Sequence, residues 1–314
     1  MGGTVIDQRS GGPVLVTGGA GFIGQALVAT LRCAGISVIV ADLRPSPDPA
    51  VHSVIGDLRD QRTIDTAFAL RPTAVFHLAA RTSVLQSMHD PADVFDVNVG
   101  VTQRLLEATR VANASTFVLA STNAVVGATT DRIDEHSVLQ PLTPYGATKA
   151  AAEMLCSAYS ASYGIAAGCV RLTNVYGPGI GAKDSFIARL LKAAGAGTEV
   201  RIYGDGRQER DYVFLDDAVA GLLLAWQHQL ATPLVIGSGT STSVLELHEL
   251  ACGVTGRALP STRIEAPRGE MRAVRVDIAR ARSLGYAPSI ALRDGLARTW
   301  ETLLPELEHS DTDR

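Results

Sequence analysis

Short apolar runs recur along the first half of this chain, and helical patterns fill the gaps between them. Val14–Thr17 (VLVT), residues 37–41, 51–55, 74–78, 116–120 and 167–171 read as buried strands. Between them, residues 22–34, 63–70, 91–113 and 143–163 carry the periodicity of amphipathic helices. Strands such as VLVT and VIVA are apolar throughout, as expected where a parallel sheet is covered on both faces. After residue 171 the regularity breaks into a glycine-rich segment, 173–207, with one helical stretch at 186–194. A helix at 216–228 and a strand at 233–236 resume the first pattern, and a mixed lobe follows from about residue 243. The pattern predicts an α/β protein of the doubly wound, Rossmann type. It should have a mostly parallel seven-stranded sheet and a smaller mixed C-terminal substrate lobe. The expected division is 1–172 with 208–236 for the sheet domain, and 173–207 with 237–314 for the lobe.

Composition narrows the partners. With 314 residues, 46% hydrophobic, the chain is long enough for a nucleotide-binding domain and a smaller companion. A formal net charge of −4 gives no basic face for nucleic acid. No apolar run reaches the roughly 18 residues of a membrane span, and residues 1–12 lack the apolar core of a signal peptide. Cys33, Cys156, Cys169 and Cys252 show neither metal-type nor disulfide spacing and read as buried thiols, so a cytoplasmic location is expected and no metal. Residues 1–12 are expected to form a loose leader, and 308–314, being polar, to fray.

The first strand ends in Thr17-Gly18-Gly19-Ala20-Gly21-Phe22-Ile23-Gly24. Gly18 suits a tight turn, Gly21 a close approach of backbone to a pyrophosphate, and Gly24 close packing of helix on strand. The N-terminal N–H groups of the following helix, at Phe22 and Ile23, would face the phosphates. With 30 glycines in 314 positions the three offsets arise by chance about 0.27 times, so the strand before and the helix after carry the argument. Asp42 closes the second strand, where a carboxylate holds the adenine ribose and repels a 2′-phosphate, favouring NAD over NADP; Arg44 weakens that preference. Asp57-Leu58 is placed to contact the adenine, or alternatively to cap a helix in competition with Asp60.

Tyr145 and Lys149 stand four residues apart, on one helix face. With 7 tyrosines and only three lysines (Lys149, Lys183, Lys192), chance supplies that spacing about 0.07 times. A neighbouring ammonium favours phenolate, which should lower the tyrosine from about 10 toward the working range so that it takes a proton from a hydroxyl. Ser121-Thr122-Asn123 follows an apolar strand, at the carboxyl end of the sheet, where ligands bind in open α/β folds. Thr122 would share the proton with Tyr145; a plain turn is the alternative.

With these motifs the chain resembles the extended short-chain dehydrogenases/reductases, specifically the NAD-dependent epimerase/dehydratase family of UDP-galactose 4-epimerase-like enzymes. The resemblance runs from about Val14 to Trp300. It includes Phe76-His77-Leu78-Ala79-Ala80, Asn98, Pro144-Tyr145-Gly146 and Arg171-Leu172-Thr173-Asn174-Val175-Tyr176-Gly177-Pro178-Gly179. Tyr203-Gly204-Asp205-Gly206, Arg210-Asp211-Tyr212-Val213 and Arg268-Gly269-Glu270 complete it. The resemblance implies that Leu78, Ala79, Ala80, Asn98 and Ser121 line an NAD, with Lys149 bonded to its nicotinamide ribose. It also implies that Asn174, Arg210 and Arg268 grip a nucleotide diphosphate and that Phe186 and Tyr203 sit near the base. Arg81, Ser83, Asn123 and Ser185 fall among the substrate-side positions. Each has a plainer alternative: Arg210-Asp211 as a surface ion pair, Asn174 as a strand terminator, Arg81 as an exposed arginine.

Departures from the family bear on the reaction. Family 4,6-dehydratases follow the catalytic Thr with Asp-Glu; Asn123 and Ala124 occupy those places here, so the acid and base for eliminating water are absent. Val126 replaces a customary Tyr. The expectation is an NAD-dependent nucleotide-sugar epimerase, most simply a 4-epimerase working through a 4-keto sugar. A dehydratase, decarboxylase or 4-ketoreductase is the alternative, and a non-catalytic nucleotide sensor a more distant one. Pairing as a homodimer through helices 91–113 and 143–163 is expected from the family.

Overall fold

The computed structural model describes residues 11–266 and 271–312. In chain order the first elements are β1 (Val14–Thr17), α1 (Phe22–Cys33), β2 (Val38–Asp42), β3 (His52–Ile55), α2 (Gln61–Ala69) and β4 (Ala74–His77). There follow α3 (Val84–His89), α4 (Pro91–Phe95), α5 (Val101–Val111), β5 (Thr116–Thr122), α6 (Pro144–Tyr163) and β6 (Ala166–Leu172). The remainder comprises β7 (Asn174–Tyr176), α7 (Phe186–Ala196), β8 (Val200–Tyr203), β9 (Glu209–Phe214), α8 (Leu215–Gln227) and β10 (Leu234–Ile236). Last come β11 (Ser241–Ser243), α9 (Val244–Thr255), β12 (Ser261–Ile264), α10 (Ala279–Ser283) and α11 (Leu292–Thr312).

Seven strands form one sheet in the order β10-β6-β5-β4-β1-β2-β3. The pairs β1·β2, β1·β4, β2·β3 and β4·β5 are parallel. All four residues of β1 and all four of β4 are buried, as their uninterrupted apolar runs require. The chain builds outward from β1 to β3, then returns to β4 on the other side of β1 and continues to β6. That reversal opens a crevice at the carboxyl ends of β1 and β4, the position where open sheets bind ligands. A core of Leu15, Ile39, Val75, Leu105, Phe117 and Leu119 packs against the sheet.

The chain divides into two compact units. One holds the described residues through Val125 with Val138–Arg171 and Val219–Leu234; the other holds Val126–Ser137, Leu172–Ala218 and the described residues from Val235 onward. The second unit carries a three-stranded sheet, β11-β9-β7, and a parallel pair, β12·β8. Local chemistry fixes several ends. Thr143 caps α6 by accepting from the Gly146 N–H, Pro144 occupies its first turn, and Gly164 closes it at φ 71°. Ser243 and Glu246 form a reciprocal capping box on α9.

Three expectations are corrected. The single helix over 91–113 is interrupted: a π-turn at Asp96–Gly100 separates α4 from α5, for a reason given below. The polar C-terminal stretch, expected to be loose, is helical as far as Thr312, the end of α11. Of the four free cysteines only Cys156 and Cys169 are buried; Cys33 is exposed and Cys252 half-buried. The leader falls almost wholly outside the described residues. No helix among the described residues is long and apolar enough to cross a membrane.

Candidate active site

The first unit contains the glycine loop. Gly18 adopts φ 71°, and a Cβ there would lie 2.6 Å from the Ala79 backbone nitrogen, so the strand ends of β1 and β4 approach through this residue. A Cβ on Gly24 would collide with the Gly18 carbonyl oxygen and come within 2.7 Å of Gly19 Cα, which pins α1 close to the turn. Gly21 is the N-cap of α1 and offers no side chain to its first turn. A loop shaped by absent side chains beside a helix N-terminus fits a dinucleotide pyrophosphate. Asp42 accepts from the Ala20 N–H at 3.0 Å and the Arg44 N–H at 3.3 Å, so the carboxylate stands beside the loop at the end of β2.

Asp57 and Leu58 turn out differently from one another. Arg59 engages the Asp57 carboxylate, with its closest contact at 2.6 Å, and holds it below the usual carboxylate range, while Leu58 is buried in the core. Asp60, not Asp57, caps α2, accepting from the Arg62 N–H.

Leu78, Ala79 and Ala80 leave β4 half-buried beside the glycine loop. Below them His77 is fully enclosed. Thr102 donates its hydroxyl to the Asn98 carbonyl at 2.6 Å and therefore accepts from His77 Nε2 at 3.0 Å, which leaves Nδ1 to accept from Thr17 at 2.7 Å. Burial, and secondarily the charge of Lys149, depress the ring to about 3, so it is neutral. The π-turn has its explanation here. Its extra residue directs Asn98 inward, where Oδ1 accepts from the Arg81 N–H at 2.8 Å and Nδ2 donates to the Arg81 carbonyl and to Thr148, each at 3.0 Å. Asn98 thus ties the loop after β4 to the helix that carries Tyr145 and Lys149.

Tyr145 and Lys149 lie one turn apart on α6, and the Thr122 hydroxyl at the end of β5 stands near enough to Tyr145 to favour its phenolate. Thr122 also accepts from the Ala124 N–H at 3.2 Å. Ser121 and Thr122 belong to β5 itself, and Asn123 opens a buried turn. The expected lowering of the tyrosine does not occur in the chain by itself. Burial pushes its hydroxyl up to about 12, against the opposing influence of the Thr122 hydroxyl, because desolvation penalises phenolate. Lys149 is 3% exposed, and burial lowers it to about 8 against the pull of Cys169, Cys156 and Glu153. The Ser121 hydroxyl is committed to Glu153 at 2.5 Å, so contact with a dinucleotide would fall to its backbone.

The second unit contains a cavity of about 130 Å³ lined by Asn174, Ser185, Phe186, Arg189, Tyr203 and Arg210, among others. Ser185 caps α7 through the Ala188 N–H. Asn174 begins β7 instead of ending a strand, and donates to the Asp211 carbonyl at 3.0 Å. Arg210 donates to the Glu209 carbonyl at 2.8 Å. The reading of Arg210-Asp211 as a surface ion pair is corrected: Asp211 is 0% exposed and its carboxylate accepts from Thr173, Ser238 and Gly239 instead. Sequence reasoning missed Arg189, whose guanidinium lies 5.9 Å from the Phe186 ring and 6.0 Å from the Tyr203 ring; its position one helical turn after Phe186 was the available signal. In the first unit, Arg81 pairs with Asp93 at 2.9 Å, and Ser83 caps α3 through the Gln86 N–H. Arg268 lies outside the described residues.

The model of the NAD dependent epimerase/dehydratase family matches residues 14–237. A UDP-glucose 4-epimerase of Mycolicibacterium smegmatis is 35% identical over 304 residues, covering 91% of this chain and 97% of that one. A dTDP-glucose 4,6-dehydratase of an Actinoplanes species is 34% identical over 316 residues, covering 91% and 96%. Among solved structures, MoeE5 in complex with UDP-glucose and NAD superposes with a TM-score of 0.89 at 37% identity, over 94% of this chain and 100% of MoeE5.

Proposed function

Because this chain belongs to the NAD dependent epimerase/dehydratase family, we propose that it is an NAD-dependent epimerase of a nucleoside-diphosphate sugar, acting at the sugar C4. One observation carries the reading: Tyr145 beside Thr122, with buried Lys149 one turn along the same helix. Gly18, Gly21 and Gly24 with the first turn of α1 would hold the pyrophosphate, Asp42 the adenine ribose, and Leu78–Ala80 the nicotinamide half. NAD, when bound, would supply a hydride acceptor and donor for the sugar carbon, and its positive ring would favour the phenolate that burial alone disfavours. Tyr145 Oη removes the proton from the sugar 4-hydroxyl and returns it, Thr122 holds the same oxygen, and Lys149 stabilises the phenolate. Inversion at the carbon would follow from the sugar turning over in its pocket while Tyr145 and Thr122 keep their hold on the C4 oxygen.

In the second unit Arg210 and Asn174 would hold the diphosphate, and Phe186 with Tyr203 the base, with Arg268 a further diphosphate contact. The relatives named for UDP-glucose favour UDP-glucose as the substrate to try first. The dehydratase relative keeps elimination as the second reading, but Asn123 and Ala124 leave it without the carboxylates it needs. Exposed Val84, Leu85 and Met88 on α3, Phe95 on α4 and Met154 on α6 support a homodimer contact on this face, which sedimentation analysis tests.

The purified protein, given UDP-glucose, UDP-glucuronate or dTDP-glucose without added NAD, should return the 4-epimer of one of them. A 4-keto-6-deoxy product or release of CO₂ overturns the reading in favour of a dehydratase or decarboxylase.

A further inference from the structure

Behind the tyrosine and lysine lies a buried ionic cluster that the proton transfer does not use. Glu153, one turn beyond Lys149 on α6, is 4% exposed; Arg171, near the end of β6, is 3% exposed; Ser121, next to Thr122 on β5, is 5% exposed. Arg171 Nε donates to both Glu153 oxygens, at 3.2 and 3.1 Å, and one terminal nitrogen donates at 2.8 Å. The Ser121 hydroxyl donates to Oε1 at 2.5 Å. One carboxylate thus joins three elements, α6, β5 and β6, and its hydrogen bond lands one residue from the threonine beside Tyr145.

We propose that Glu153, clamped by Arg171, is a positioning residue for the epimerase reaction, holding Ser121 so that Thr122 meets the Tyr145 hydroxyl. Two arguments support this beyond mere stability. A buried ion pair is a weak stabiliser, since apolar side chains of similar volume often do as well or better. The geometry is also aimed: Glu153 lies two helical turns from Tyr145 on the same helix and reaches the one strand that carries Thr122. A cluster needed only to fill the core would have no reason to spend its carboxylate on the neighbour of a reacting group. The inference rests on the epimerase reading given above.

The test removes the charges while keeping the packing. In the holoenzyme, Glu153→Met is combined with Arg171→Met, and kcat, KM for UDP-glucose, bound NAD and thermal midpoint are measured. The positioning role predicts a paired variant that folds and retains NAD, with kcat reduced on the order of 100-fold, the scale of a misplaced reacting group, and KM little changed. A paired variant as active as the wild type overturns the proposal. Should the pair fail to fold, Ser121→Ala removes only the hydroxyl that Glu153 holds. It should lower kcat at least about tenfold, and unchanged turnover overturns the proposal equally. A wild-type enzyme that leaves every nucleotide sugar untouched sinks the epimerase reading and this inference together, whereas wild-type turnover matched by the variants sinks this inference alone.

Discussion

Replacing Lys149 with methionine should make this protein more stable and inactive at once. The side chain is 3% exposed, and burial holds its amine near 8, well below its ordinary 10.5. At roughly 1.4 kcal/mol per pH unit, that gap means the folded chain carries about 3 kcal/mol of penalty for keeping the ammonium charged. The groups acting on it are Cys169, Cys156 and Glu153, which favour the charge without matching the cost of burial, and His77, which is neutral. The sign follows from the order of titration. Below about pH 8 the amine is charged in folded and unfolded chains alike, and the penalty is present in full. Between about 8 and 10.5 the folded chain gives up its proton first, so wild-type stability rises with pH and the penalty fades. Methionine has similar length and no charge, and Glu153 keeps Arg171 as its partner. Urea denaturation of the NAD-free proteins should therefore find Lys149→Met more stable by about 3 kcal/mol at pH 7, with the advantage shrinking toward pH 10. A variant no more stable than wild type at pH 7, or a difference that ignores pH, refutes the reasoning.

Other outcomes follow from the same geometry. Tyr145→Phe should keep NAD and UDP-glucose binding, measured by calorimetry, while lowering turnover by about 10²–10⁴. Asp211→Ala leaves the Thr173 hydroxyl and the Ser238 and Gly239 N–H groups without their acceptor, while the Ser238 hydroxyl keeps the Thr240 carbonyl. At about 1–3 kcal/mol for each buried group stranded, less whatever water relieves, it should lower urea-measured stability by about 3–5 kcal/mol. Gly24→Ala forces a methyl against the Gly18 carbonyl and the Gly19 Cα; the purified variant should carry little or no NAD when the denatured protein is assayed for released cofactor.

Lys149 and Asp211 also mark how far the sequence reached. The run VLVT before three spaced glycines, and a lone Tyr–Lys pair in a chain with three lysines, depend on local rules: strand burial, positive φ, and the 3.6-residue helical period. Such rules operate within about eight residues, so β1, α1, Asp42 and α6 emerged close to where the chain folds them. The π-turn did not, because its cause is a hydrogen bond from Asn98 to Arg81 and Thr148, residues 17 and 50 positions away.

What the sequence determined by itself is local spacing: three glycines after a buried strand, and a phenol and an amine one turn apart, because both are written along one element. Tertiary structure alone decided the state of those groups. It set the tyrosine upward instead of downward, buried Asp211 among donors where a surface pair was expected, and brought Glu153, Arg171 and Ser121 from three elements to one carboxylate. The physical reason is that burial and long-range hydrogen bonding depend on which strands and helices become neighbours, and a linear pattern carries no distance between them.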